Sequence, residues 1–174
     1  MIIRGKQYNS LVDLEEDACA RLSSNPSALG YFRSGAESGA TLRRNLEQFD
    51  DYRLLPRCLV DVSKATTRCT ILGQKSSMPV MVAPMALQCM AHSSGELGMK
   101  RGSVAAKVPM LLSTMSTISM DRVARVCGGH DVSDVSDGVG TFFQLYCLKD
   151  KELTRRIIEQ AERLGFRGIV ITVD

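Results

Sequence analysis

The sequence predicts an α/β fold built on a parallel sheet, and three observations carry that prediction. Short apolar runs alternate with amphipathic helical stretches in the order βαβαβαβ, at about thirty residues per unit. Two of the runs, TFFQLY at 141–146 and GIVITVD at 168–174, begin apolar and end in a hydroxyl or a carboxylate. That is the pattern of a parallel barrel strand whose carboxyl end opens into a site. A hydrophobic fraction of 44% against 24% charged residues, in 174 residues, allows one sizeable core and argues against disorder.

Composition also removes several functional classes. No apolar segment approaches the roughly 20 residues that cross a bilayer, and the opening MIIRGKQYNS lacks the apolar region of a signal peptide. An intracellular protein with no membrane partner is expected. The 22 basic residues are dispersed among 19 acidic ones for a net charge of +3, so no basic stripe points to nucleic acid. Phosphate groups on a small ligand stay open. Cys19, Cys58, Cys69, Cys89, Cys127 and Cys147 form no C-x-x-C pair, which argues against zinc and for reduced, mostly buried thiols. His92 and His130 are too few for a histidine metal centre, and no metal site is predicted.

Taken in order, Ser10 opens the first helix, with Asp13 placed for a capping box and Leu11, Leu14, Ala18 and Leu22 spaced along one face. Pro26 after Asn25 starts a second helix through LGYFRSGA. After a turn at Gly35 and Gly39, TLRRNLEQF forms a third, with Leu42, Leu46 and Phe49 aligned. Residues 1–65 therefore read as a helical preamble. From Thr66 the pattern becomes β-rich, and Gly73 in RCTILGQKSSM marks a hairpin turn. PVMVAPM at 79–85 is the first buried strand expected, and HSSGELGMKRGSVAAKV the helix after it. VPMLLST at 108–114 is the second strand; SMDRVARV, with Ser119 as N-cap, gives a short helix. TFFQLY is the third strand, DKELTRRIIEQAERLG an amphipathic helix, and GIVITVD the fourth strand. CGGHDVSDVSDGVG, at 127–140, reads as a surface insertion. Its Asp131, Asp134 and Asp137 do not follow the spacing of a calcium-binding EF-hand loop.

Several stretches in a fixed order carry a resemblance: YFRSGAESGATLRRN, LLPRCLVDVS, TILGQKSSMPVMVAPMALQCMAH, GEL, LLST, FFQLYCLKDKELT and GIVITVD. The chain resembles the FMN-dependent 2-hydroxy acid oxidases and dehydrogenases, the family of glycolate and lactate oxidases. The resemblance implies an FMN cofactor, a small 2-hydroxy acid substrate and a TIM-type (β/α)8 barrel. Residues 1–174 would hold the helical preamble, then, in 66–174, the hairpin and the first four barrel strands, a half barrel. A homo-oligomer is compatible with it, as is a peroxisomal or cytoplasmic location.

Residue by residue, Tyr31 matches a tyrosine that holds the substrate carboxylate; alone it reads as an aromatic packing residue on a helix. Tyr146 matches the tyrosine near the reacting hydroxyl, with both catalytic and substrate-binding character; alone it is a rim tyrosine. Gln144 and Thr172 match side chains that bond the pyrimidine edge of the flavin, where carbonyl and N–H groups want neutral partners. Either could instead meet another polar residue of a barrel layer. Ala83, Pro84, Met85 and Ala86 match the strand end against the flavin ring, Met85 replacing a threonine of several members. Ser113 matches a flavin-contacting serine, and Met115 stands where glycolate oxidases commonly carry tryptophan, implying a different or wider substrate pocket. Asp174 matches the catalytic aspartate that orients a histidine base.

The family's histidine base, carboxylate-binding arginine and flavin-facing lysine belong to the later half of the barrel. Neither His92 nor His130 matches that base. Two readings follow: an FMN-dependent 2-hydroxy acid oxidase represented by its amino-terminal half, inactive as the isolated 174 residues, or a noncatalytic half barrel that pairs with itself or a partner. On both, GIVITV is an exposed, β-branched edge strand.

Overall fold

A computed structural model describes residues 2–3, 5–126 and 139–173. The chain divides into two compact units, 1–63 and 64–174. In the first, β1 (Ile2–Ile3) pairs antiparallel with β2 (Lys6–Gln7) ahead of α1 (Leu11–Leu22), α2 (Pro26–Arg33), α3 (Ala40–Glu47) and a 3-10 turn at Gln48–Asp51. The capping box forms as its residue types require: Asp13 N–H donates to Ser10 Oγ at 3.1 Å, and the Asp13 carboxylate accepts from Ser10 N–H at 3.1 Å. Asn25 caps α2 by accepting from Ala28 N–H at 3.2 Å, and Pro26 occupies the first turn, where its missing N–H costs nothing.

Tyr8 and Ala28 are buried in this unit. The aligned apolar residues of the helices fare differently: Leu11, Leu42, Leu46 and Phe49 are all exposed. Periodicity dictates a helix, whereas burial needs a covering layer, so the expected faces form without being covered.

The second unit opens with the hairpin β3 (Cys69–Ile71) and β4 (Gln74–Ser76). Leu72 at φ 49° and Gly73 at φ 76° both occupy the left-handed region, as a two-residue hairpin turn matched to strand twist demands. A 3-10 turn at Gln88–Met90 precedes α4 (Gly95–Ala106). Then come β5 (Met110–Leu112), α5 (Met120–Ala124), β6 (Thr141–Leu145), α6 (Lys151–Arg163) and β7 (Ile169–Ile171). The sheet order is β5-β6-β7, all parallel, with Leu111 opposite Phe142 and Gln144 opposite Val170.

The first expected strand, 79–85, is corrected. Only Val82 joins the sheet, through one parallel bridge to Met110: Val82 N–H donates to Pro109 O at 2.8 Å, and Val82 O accepts from Leu111 N–H at 2.9 Å. Pro79 and Pro84 flank it without N–H groups to extend a ladder. Val80 and Met85 are exposed. Ser119 holds the cap position of α5 in extended geometry but makes no side-chain cap bond.

Alternation splits the sheet into two faces. Met110, Leu112, Phe143 and Leu145 pack with Ile118, Val123 and Ala161 in the core, and Phe143 meets Phe166 edge-to-face at 5.9 Å. Leu111, Phe142 and Gln144 are buried on the other face. The expectation of mostly buried cysteines is also corrected: Cys58 and Cys147 are exposed and Cys19, Cys69 and Cys89 only partly covered, all as free thiols. Cys58 and Cys147 lie on irregular segments, which run over the surface. Cys127, His130, Asp131, Asp134 and Asp137 fall outside the described residues. Among those described, no helix is long and apolar enough to cross a membrane.

Candidate functional site

The carboxyl ends of β5, β6 and β7 deliver three of the named residues to one row. Ser113 follows β5, Gln144 is the fourth residue of β6, and Thr172 follows β7. The register puts them on the same face, and their side chains join: Ser113 Oγ donates to Gln144 Oε1 at 3.3 Å, and Gln144 Nε2 donates to Thr172 Oγ1 at 2.8 Å. Ser113 Oγ in turn accepts from Met115 N–H at 3.0 Å. Ser113 and Gln144 are buried, so these bonds answer a real cost of leaving polar groups dry.

Thr114, which the sequence placed only as the last residue of VPMLLST with no role of its own, belongs to this site. Its N–H donates to Gln144 Oε1 at 3.1 Å, which leaves that oxygen holding two donors. Its hydroxyl donates to Gln144 O at 2.5 Å and accepts from Tyr146 N–H at 3.1 Å. One side chain thus clasps the backbone of the neighbouring strand end on both sides of Leu145. Tyr146, the next residue after that strand end, is exposed.

Ala83, Pro84, Met85 and Ala86 lead away from the Val82 bridge. The first three are exposed, as is Met115 in the loop after β5. That loop is laced to the one after Val82: Leu87 N–H donates to Met115 O at 3.1 Å, and Cys89 N–H donates to Thr117 Oγ1 at 3.1 Å. Tyr31 is exposed on α2 of the first unit, and Asp174 falls outside the described residues. Among the described residues, no cluster of three or more His, Cys, Asp or Glu side chains is placed to hold a metal ion.

A profile of the family described as FMN-dependent dehydrogenase matches residues 20–174. The chain belongs to that family. Relatives of this chain include Glycolate oxidase 1 of Zea mays, 42% identical over 162 residues that cover 92% of this chain and 41% of the maize protein. The L-lactate oxidase of Nostoc sp. (strain PCC 7120) is 39% identical over 160 residues, 92% of this chain and 42% of that protein. Among solved structures, mandelate oxidase superposes with a TM-score of 0.85 at 32% identity over 97% of this chain and 45% of the other. Further mandelate oxidase structures similar to this chain contain (S)-mandelic acid or an FMN adduct. The chain therefore spans less than half the length of the relatives it matches.

The donor chemistry of the row tests whether FMN suits the residues of this chain. With Gln144 Oε1 engaged twice and one Nε2 hydrogen given to Thr172, the second Nε2 hydrogen and the Thr172 hydroxyl hydrogen stay uncommitted among the described residues. Two neutral donors at adjacent strand ends suit the carbonyl-bearing edge of an isoalloxazine ring, and a buried charge there would meet no countercharge in that ring. The residues fit the group.

Proposed function

We propose that this chain forms the flavin-edge and substrate-hydroxyl side of an enzyme that oxidises a small 2-hydroxy acid to the 2-oxo acid, with hydrogen peroxide as co-product where oxygen is the acceptor. The supporting observation is the Ser113–Gln144–Thr172 row, neutral and internally bonded, at the carboxyl ends of parallel strands in a chain of the FMN-dependent dehydrogenase family. When bound, FMN supplies the two-electron acceptor for this oxidation. Gln144 and Thr172 hold the ring edge through their uncommitted donors, and the Thr114 N–H, which can only donate, fixes the amide so that Gln144 presents nitrogen rather than oxygen. Ala83, Pro84, Met85 and Ala86 lie along the ring.

Tyr146 directs its phenol at the substrate's reacting hydroxyl, its backbone held by Thr114. Tyr31 takes the substrate carboxylate, and Met115 borders its side chain. Asp174 orients the base that receives the hydroxyl proton. In this reading the first unit is a helical preamble, and Val82, β5, β6 and β7 are the first four strand positions of a (β/α)8 barrel.

A second reading for the isolated 174 residues is a noncatalytic half barrel, in which His92 is a structural residue. Its Nδ1 lies 2.8 Å from Ser94 Oγ and accepts from Ser94 N–H at 3.1 Å, a local turn contact at the start of α4 and not a base in the row. One experiment separates the readings: FMN is titrated into the protein while flavin fluorescence is followed, and glycolate, L-lactate or (S)-mandelate is then added anaerobically. Bleaching of the bound flavin supports the oxidase for the chain itself. Binding without bleaching supports the noncatalytic reading for these 174 residues, and a folded protein that binds no FMN overturns the flavin site.

A further inference from the structure

Glu96, in the second position of α4, is fully buried, at 0% exposure, and the catalytic assignments above make no use of it. Its carboxylate accepts from the loops that surround it. Its Oε1 accepts from Thr117 N–H at 2.8 Å and from Gln88 N–H at 3.4 Å, and its Oε2 accepts from Ile118 N–H at 3.2 Å. The Thr117 hydroxyl lies 2.8 Å from Oε2 and 3.0 Å from Oε1 and completes the set. Gln88 belongs to the loop that follows Val82; Thr117 and Ile118 belong to the loop that follows β5. A single carboxylate thus gathers two strand-end loops, one carrying Ala83, Pro84, Met85 and Ala86, the other Ser113, Thr114 and Met115. The backbone bond from Leu87 to Met115 and the bond from Cys89 to Thr117 run through the same seam.

We infer that Glu96 is a positioning residue for the flavin site: it sets the spacing of the two loops that flank the ring, and through Ser113 and Thr114 the orientation of the Gln144 amide. This rests on the flavin reading proposed above. A carboxylate suits the task because it accepts from all four donors at once, which no neutral side chain of its size can do. Glu96→Gln keeps the volume and replaces one accepting oxygen with a donor that faces either the Thr117 and Gln88 N–H groups or that of Ile118. The loops must then shift to relieve the mismatch.

The test uses the full-length, FMN-loaded protein and measures the FMN dissociation constant together with the visible circular dichroism of the bound flavin. Glu96→Gln is expected to weaken FMN about tenfold, the scale of one charge-assisted hydrogen bond, and to alter the visible dichroism at saturating FMN, well below the melting temperature. Val123→Ala, a core substitution outside the seam, serves as the control of matched stability loss and is expected to keep the wild-type dichroism. Thr117→Val, which with little change of shape removes one donor to Glu96 and, in the same seam, the acceptor of Cys89 N–H, is expected to move both readouts in the same direction and carries the test if Glu96→Gln does not fold. Wild-type dichroism and affinity in both seam variants would overturn the inference while leaving the flavin reading intact. A wild-type protein that binds no FMN would overturn that reading and the Glu96 role with it.

Discussion

At the scale of single residues, the site depends on groups whose partners are fixed by three-dimensional contact. Gln144→Leu keeps size but leaves the Ser113 hydroxyl and Thr114 N–H without their acceptor, so it is expected to cost about 1–3 kcal/mol of stability by chemical denaturation and to abolish flavin fluorescence quenching. Gly95 shows the same dependence in the backbone. It has φ 40°, and a Cβ there would lie 2.5 Å from Cys89 Sγ, inside contact distance. Gly95→Ala is therefore expected to lower stability by about 1–3 kcal/mol, read as a lowered melting temperature, with wild-type stability as the outcome against it. Ser113, Gln144 and Thr172 could be named through the family resemblance of LLST, FFQLY and GIVITVD, and not from strand periodicity, which places a residue on a face without giving it a partner. Thr114 and Glu96 could not, because the chemistry of a threonine next to a serine, or of a glutamate opening a helix, acquires meaning only from partners 30 and 21 positions away.

At the scale of elements, one face of the sheet packs into the hydrophobic core while Leu111, Phe142 and Gln144 are buried on the other. Leu112→Ala in β5 empties a fully buried position in the core and is expected to cost about 2–5 kcal/mol, measured by urea unfolding. In the first unit, Asp17 on α1 binds Lys6 Nζ at 2.5 Å, Arg21 Nε at 2.7 Å and the Tyr8 hydroxyl at 2.9 Å, tying β2 to α1. These bonds, that of Lys6 first, hold the Asp17 carboxyl well below the usual carboxylate range. Its folded pKa lies below the unfolded value of about 3.9, so the stabilisation is fully present above the unfolded value and is lost progressively as pH falls below it through the lower folded one. Asp17→Asn is expected to flatten the acid limb of a stability profile below about pH 4, and an unchanged limb would count against the cluster. Capping signals at Ser10 and Asn25 made α1 and α2 legible and amphipathic periodicity made α6 legible; the structure adds a side-chain cap at Asp150 that the sequence reading does not name. The failure came at 79–85, where apolar composition outweighed two prolines that deny the ladder its donors.

At the scale of the molecule, the parallel sheet ends on β7 among the described residues, with Ile171 exposed and Val173 91% exposed beyond it. An apolar, β-branched edge of this kind is a template for pairing with another chain. A polypeptide of residues 1–174 alone is expected to self-associate with rising concentration in sedimentation velocity, and Val173→Lys to suppress it; equal behaviour of the two polypeptides would exclude that edge. The strand order has a different consequence for how the protein is made. Each strand lies beside the strand that follows it in the chain, from Val82 to β5, then β6, then β7. Sequential neighbours of this kind close only short loops. As synthesis proceeds, each new βα unit finds its docking partner already finished, within the few seconds that about thirty residues take to emerge from the ribosome. The sheet can grow by accretion, so errors of strand order have little opportunity to arise.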